Sequence, residues 1–325
     1  MLLFSVFFTS SPSIASQKNN FEIKHADTLQ TDQENIVVKG DVVVNYKDAV
    51  IEAPEAIIET IEKGKPYKAI FTNGSIRLKD RNLKANKITI LIEKRLILAK
   101  ENVMSELKDK KNNSLIINSD YQELYWSGED ASANGNLKTI YNDTQVTADE
   151  LKVIYKNKRP THAIFFGTKK PVHLEQPTNI TFAKEITFEI NSENFEAKDQ
   201  VETTIWPDKN LPRTKQDPII VKSDELYIDN ETGTVKARAQ ENTNKVQLNY
   251  QEISGESQEA LLVKENKNGK PEKIIFKGNA NVSQLDKELR AEEIVFDLND
   301  KKLTSDATAN KRPKTTFFKK DEPSK

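Results

Sequence analysis

Leu289-Arg-Ala291-Glu-Glu-Ile294-Val-Phe296-Asp-Leu298 sets a small residue two places after an apolar one, then apolar residues five, seven and nine places from the start. The same order returns in Leu83, Ala85, Ile88, Ile90, Ile92 and in Val146, Ala148, Leu151, Val153, Tyr155. Ile51-Glu-Ala53, Thr181-Phe-Ala183 and Val221-Lys-Ser223 open further copies, and Ile117-Asn-Ser119 and Ile253-Ser-Gly255 open weaker ones. The small residues Ala53, Ala85, Ser119, Ala148, Ala183, Ser223, Gly255 and Ala291 are 29 to 40 positions apart. Eight units of about 34 residues place the chain among repeat architectures.

Steps of two put side chains on one face of an extended strand, so each unit is β. The step of three after the small residue breaks the alternation, and a bulge or sharp bend is needed there to return the second half to the inward face. Crowding at the bend selects Ala, Ser or Gly, which makes the eight small residues the expected bend positions. Gly40-Asp-Val42, Gly135-Asn-Leu137 and Gly278-Asn-Ala280 precede the small residue by 13 positions. Gly64-Lys-Pro66 and Gly269-Lys-Pro271 read as turns that launch strands. Each unit is therefore expected to hold several short strands, stacked on its neighbours around one interior.

The 325 residues are thus assigned to an all-β, elongated stack rather than to two unrelated domains. Residues 37–205 and 219–307 carry the repeats, after a lead over 16–36. Three prolines in 206–218 mark a loop, and one place where two stacks could meet. Lys311, Arg312, Lys314, Lys319 and Lys320 fall in 308–325, read as a basic flexible tail without β pattern. Residues 1–15 hold a short apolar run followed by Ser13-Ile14-Ala15, which reads as an export signal cleaved after Ala15. No Lys or Arg precedes the run, and an uncleaved anchor is the alternative.

Charged residues make up 30% of the chain yet sum to −1, which describes a solvated exterior and no field for nucleic acid. Cysteine is absent, which removes disulfides and thiolate metal sites. His25, His162 and His173 have no metal-site spacing. Asp149-Glu150, Asp224-Glu225 and Glu292-Glu293 recur at one place in the unit, which fits the outside of a bend better than an active site built once. No phosphate loop or nucleophile elbow is present. An enzyme is not expected, and neither a cofactor nor a metal.

The interior remains. Ile90, Ile92, Trp126, Val153, Tyr155, Phe188, Ile190, Phe296 and Leu298, with Phe166 and Phe276 after the turn, are expected to point inward. They either fill an ordinary core, as in a β-solenoid scaffold or adhesin, or line an open apolar trough suited to acyl chains.

Lys39-Gly-Asp-Val-Val-Val44, Gly278-Asn-Ala-Asn-Val282 and Leu289-Arg-Ala-Glu-Glu-Ile-Val-Phe296, within the repeat, resemble the OstA/LptA family of periplasmic lipopolysaccharide-transport proteins. The resemblance spans about 270 residues and implies a β-jellyroll, or β-taco, open at both ends, whose apolar groove holds lipid A acyl chains. It implies as partners lipopolysaccharide and other jellyroll components, joined by strand-edge pairing, and a head-to-tail homo-oligomer. The repeat region is longer than a single module of the family, and no outer-membrane barrel follows it.

Overall fold

The computed structural model describes residues 21–317 except 33, 62–64, 127, 129, 209, 241–244, 264–271 and 306–312. The export signal, the Gly64 and Gly269-Lys-Pro271 turns and most of the basic tail lie outside the described residues. Apart from one 3-10 turn at Arg213–Lys215, every described element is a strand. No helix among the described residues is long and apolar enough to cross a membrane.

The chain divides into two compact units. The first takes the described residues up to Asn142 together with Glu150–Thr161, and the second takes Asp143–Asp149 and those from His162 onward. The Pro-rich segment 206–218 lies inside the second unit, so it is not the boundary.

In the first unit β1 (Phe21–His25) and β2 (Thr28–Thr31) both pair with β3 (Asn35–Tyr46). An antiparallel meander follows through β4 (Ala49–Ile61), β5 (Lys65–Leu78), β6 (Arg81–Leu91), β7 (Leu96–Lys108), β8 (Ser114–Tyr125) and β9 (Asp130–Tyr141). β10 (Thr144–Lys156) and β11 (Arg159–Phe166) give residues to both units. The second unit continues through β12 (Val172–Gln176), β13 (Asn179–Ala183), β14 (Glu185–Glu189), β15 (Phe195–Ile205), β16 (Ile219–Asp229) and β17 (Thr234–Arg238). It goes on through β18 (Val246–Tyr250), β19 (Ile253–Ser257), β20 (Glu259–Val263), β21 (Lys273–Gln284), β22 (Lys287–Asp297), β23 (Lys302–Thr304) and β24 (Lys314–Phe317).

Strands of the first meander run to 14 residues, longer than the short strands expected from the turn signals. They bend at mid-length. In β3, Lys39 faces Glu55 and Val42 faces Ala53, so Gly40 and Asp41 together oppose Pro54. Glu101-Asn102 of β7 oppose Asp120, Asp199-Gln200 of β15 oppose Asp224, and Gly278-Asn279 of β21 oppose Glu292. Both residues of each pair have left-handed backbone, with φ of 77° and 40° at Gly40 and Asp41 and of 78° and 49° at Gly278 and Asn279. Glycine and asparagine tolerate that conformation best. The extra residue thus belongs to the strand beside the small residue and not to the small-residue strand itself, which corrects the bend assignment: the Gly-Asp and Gly-Asn pairs form the bulge, and Ala53, Ser119, Ser223 and Ala291 sit across from it.

The bend folds each strand in two. Arg81 opens β6, and Trp126 follows the far end of β8, so on straight strands about ten residues, ~30 Å, would separate their levels. Their side chain and backbone instead lie 3.2 Å apart. The half-strands therefore form two walls joined at the bulges, with turns along both free rims. Each unit has its own apolar interior between the walls, with Val42, Ile51, Phe71, Ile76 and Ile88 buried in the first and Phe165, Leu174, Phe195, Ile219 and Phe276 buried in the second.

Residues 314–317 form β24, paired with β22 from Lys287↔Phe317 to Arg290↔Lys314. Over these four residues the expectation of a tail without β pattern is corrected, because the first half of β22 offers a free edge that they occupy.

Candidate lipid-binding interior and its mouth

Most residues expected to line the interior do point inward. In the first unit Ile90 and Val153 are 0% exposed, Ile92 4% and Trp126 7%. In the second, Ile190 and Phe276 are 0% exposed and Phe188 and Phe296 2%. Tyr155 and Leu298 are half-buried. Phe166 is a correction. β11 pairs with β14 so that Ala163 faces Phe188 and Phe165 faces Ile186. Alternation then puts Ala163 and Phe165 inside, leaving Phe166 half-buried beside Glu185 on the other face.

The small residues have a packing reason at Gly255, where an added Cβ would lie 2.3 Å from Cε1 of the buried Phe276 ring. Acidic residues after the small positions serve the bend. Asp149 accepts the backbone N–H groups of Lys169 and Lys170, which hold its carboxyl below the usual range. Asp224 accepts the backbone N–H of Gln240 at 2.8 Å. These carboxylates cap backbone amides. Among the described residues no group of three His, Cys, Asp or Glu side chains is placed to hold a metal ion.

Side chains of the first unit bridge the two rims, a feature the sequence did not single out. The Tyr46 hydroxyl approaches the Ile92 carbonyl at 3.5 Å, and Trp126 Nε1 donates to Asp48 Oδ1 at 3.1 Å. Arg81 donates to the carbonyls of Tyr125 at 3.1 Å and Trp126 at 3.2 Å, while Arg159 Nη1 donates to the Lys108 carbonyl at 3.3 Å. The Tyr46 and Trp126 rings meet edge to face at 4.7 Å, with the Lys47 ammonium 5.2 Å from the first centroid and 6.0 Å from the second. Burial, and next the Arg95 guanidinium, hold the Lys47 pKa below its ordinary value. Burial raises the Tyr155 pKa, the Arg81 guanidinium acts against that rise, and the hydroxyl has no hydrogen-bond partner.

At the mouth of the second unit amide side chains meet, beside a Thr144 hydroxyl that donates to the Glu193 carboxylate. Gln176 Nε2 reaches the Glu193 carbonyl at 3.2 Å, Asn179 Nδ2 donates to Gln176 Oε1 at 2.9 Å, and Asn230 Nδ2 donates to the same oxygen at 3.3 Å. Further along, Gln284 Nε2 reaches the Lys301 carbonyl at 3.2 Å.

The described elements are nearly all strands, and each unit holds an apolar interior. The model of the family "LptA/(LptD N-terminal domain) LPS transport protein" matches residues 116–302, more than half of the chain, and the chain belongs to that family. Residues before 116 lie outside the match. Among solved structures, LptH of Pseudomonas aeruginosa, described as the LptA homologous periplasmic component of the conserved lipopolysaccharide transport device, matches at 14% identity. That match covers 44% of this chain and 97% of LptH, with a TM-score of 0.35. No curated protein matches.

Proposed function

We propose that the chain is a non-enzymatic periplasmic lipopolysaccharide transport protein whose apolar interior takes up acyl chains between the two walls. On this reading residues 1–15 direct export, the repeats form modules open at their ends, and free strand edges pair head to tail with neighbouring modules. The observation that carries it is the inward apolar face on both walls, because the walls are covalently joined along the bulges and, among the described residues, bridged at the mouth by side chains. Parting the rims admits an acyl chain without breaking a strand ladder, and each buried CH₂ then contributes about 0.8 kcal/mol.

An apolar fluorescent dye tests the reading: uptake, followed by displacement on adding lipopolysaccharide, is expected. A filled-core scaffold is favoured by one observation, the full burial of Ile90, Val153 and Ile190. Dye exclusion at every lipid concentration supports that alternative. The mass of the mature N-terminus tests export, with cleavage after Ala15 expected for a free periplasmic form.

A further inference from the structure

The seam of the first unit closes the mouth with cations whose nearest partners are largely neutral. Arg81, whose side chain is 12% exposed, places two guanidinium nitrogens on main-chain carbonyls. The carboxylate beside it, Asp80, lies 3.6 Å away and is shared with Arg159 at 3.7 Å. Among the described residues Lys47 makes no ion pair; its ammonium rests over the two rings. Its sequence neighbour Asp48 accepts from Trp126 Nε1. Lys47 and Arg81 on one rim and Arg159 on the facing rim thus set three cations against the carboxylates of Asp48 and Asp80, whereas amide side chains reach across the rims of the second unit.

We propose that this seam, with Lys47, Arg81 and Arg159 as its ligating groups, is a binding site for the phosphate-bearing head group of the lipid, and that occupancy by phosphate opens the mouth. The inference rests on the lipid-carrier reading and adds where the head group sits. Acyl chains that enter between the walls must leave their polar head at the free rims, because the opposite edge of the interior is closed by continuous backbone. At the rims a phosphate offers Arg81 and Arg159 bidentate hydrogen bonds in which both partners are ionised, which the main-chain carbonyls they hold cannot supply. Exchange of carbonyl for phosphate frees the Tyr125 and Trp126 backbone, and the wall carrying them can move outward. Asp80 and Asp48 are carboxylates an incoming phosphate must face; Asp80 is shared by two arginines and Asp48 accepts the Trp126 indole N–H, so the three cations keep the local balance positive.

Trp126 supplies the readout. Tryptophan occurs twice, and Trp206, which stacks on the Arg213 guanidinium at 4.4 Å, lies outside the seam, so the Trp206→Phe chain reports Trp126 alone. Its emission is followed while the full chain is titrated with bisphosphorylated lipid A, with the same lipid dephosphorylated, and with inorganic pyrophosphate. Bound lipid is counted independently by co-elution in gel filtration. Phosphorylated lipid is expected to red-shift Trp126 and to bind roughly tenfold or more tightly than the dephosphorylated lipid. Pyrophosphate alone is expected to perturb Trp126 at higher concentration, which separates a free anion from a head group. Lys47→Gln and Arg159→Gln, tested separately so that a poorly folding variant leaves the other, are each expected to reduce the preference for phosphate. Equal co-elution of both lipids with an unchanged Trp126 overturns the seam site and leaves the lipid carrier standing. Co-elution of neither overturns both.

Discussion

Gly255 is the residue at which packing most directly dictates identity. The Phe276 ring is fully buried, and a methyl group on Gly255 would come within 2.3 Å of it. Gly255→Ala is therefore expected to lower stability by about 1–3 kcal/mol through overpacking, read as the midpoint of urea unfolding. An unchanged midpoint means that the ring is not seated as described. Glu106 gives a second test. It accepts from Lys108, Ser114 and Asn82, which pull its carboxyl down to about 2. A folded pKa below the unfolded one gives stability that is complete above about 4.5 and fades as pH falls toward 2. Glu106→Gln is then expected to be less stable than the parent at neutral pH, with the difference closing in acid. A difference independent of pH contradicts the assignment. At this scale the sequence was a good guide to the inward positions, because alternation is strictly local. It misplaced Phe166 for Phe165, since two adjacent phenylalanines satisfy an apolar pattern equally and the β11–β14 register decides between them.

The bent strand is the element that makes the fold, and its bulge lies where two left-handed residues oppose one. Deleting Asn279 removes the extra residue from β21 and drives every side chain on one side of the cut to the opposite face. Loss of cooperative unfolding is expected, whereas Asn279→Gly, which keeps the count and eases the left-handed backbone, is expected to leave stability within about 1 kcal/mol of the parent. A deletion variant that melts like the parent shows that the bulge does not set the register. The small residue was legible because its spacing repeats along one strand. The bulge was misassigned to that strand because its cause, Gly278-Asn279, sits 13 positions from Ala291 and acts across a hydrogen-bonded ladder. The β24 pairing was illegible for a related reason: Lys314–Phe317 has no alternation of its own and takes its register from the open edge of β22.

For the whole molecule, membership in the lipopolysaccharide-transport family and an apolar interior in each unit leave one central claim, that acyl chains lie between the walls. The spacing of the repeats made the all-β class legible, and the resemblance carried by residues 39–44, 278–282 and 289–296 made the family so. The rim seam was not legible: Trp126 stood out as an inward position of the repeat, but Tyr46, Arg81 and Arg159 are far from it in sequence and only the folding of the strands brings the four together. Trp126→Leu is expected to loosen the mouth of the first unit by removing the Asp48 hydrogen bond and the Tyr46 edge contact, seen as faster amide exchange around residues 46–48 and 92–95. Unaltered exchange there contradicts the seam. The most direct measurement replaces Phe188, Phe296 and Phe182 one at a time by a photo-reactive phenylalanine in the full chain and cross-links it after loading with lipopolysaccharide. Phe188 and Phe296 face inward at 2% exposure and Phe182 faces solvent at 40%. Labelling at 188 and 296 with little at 182 is the expected result; a folded, loaded chain labelled equally at all three, or only at 182, contradicts the interior as the place where lipid travels.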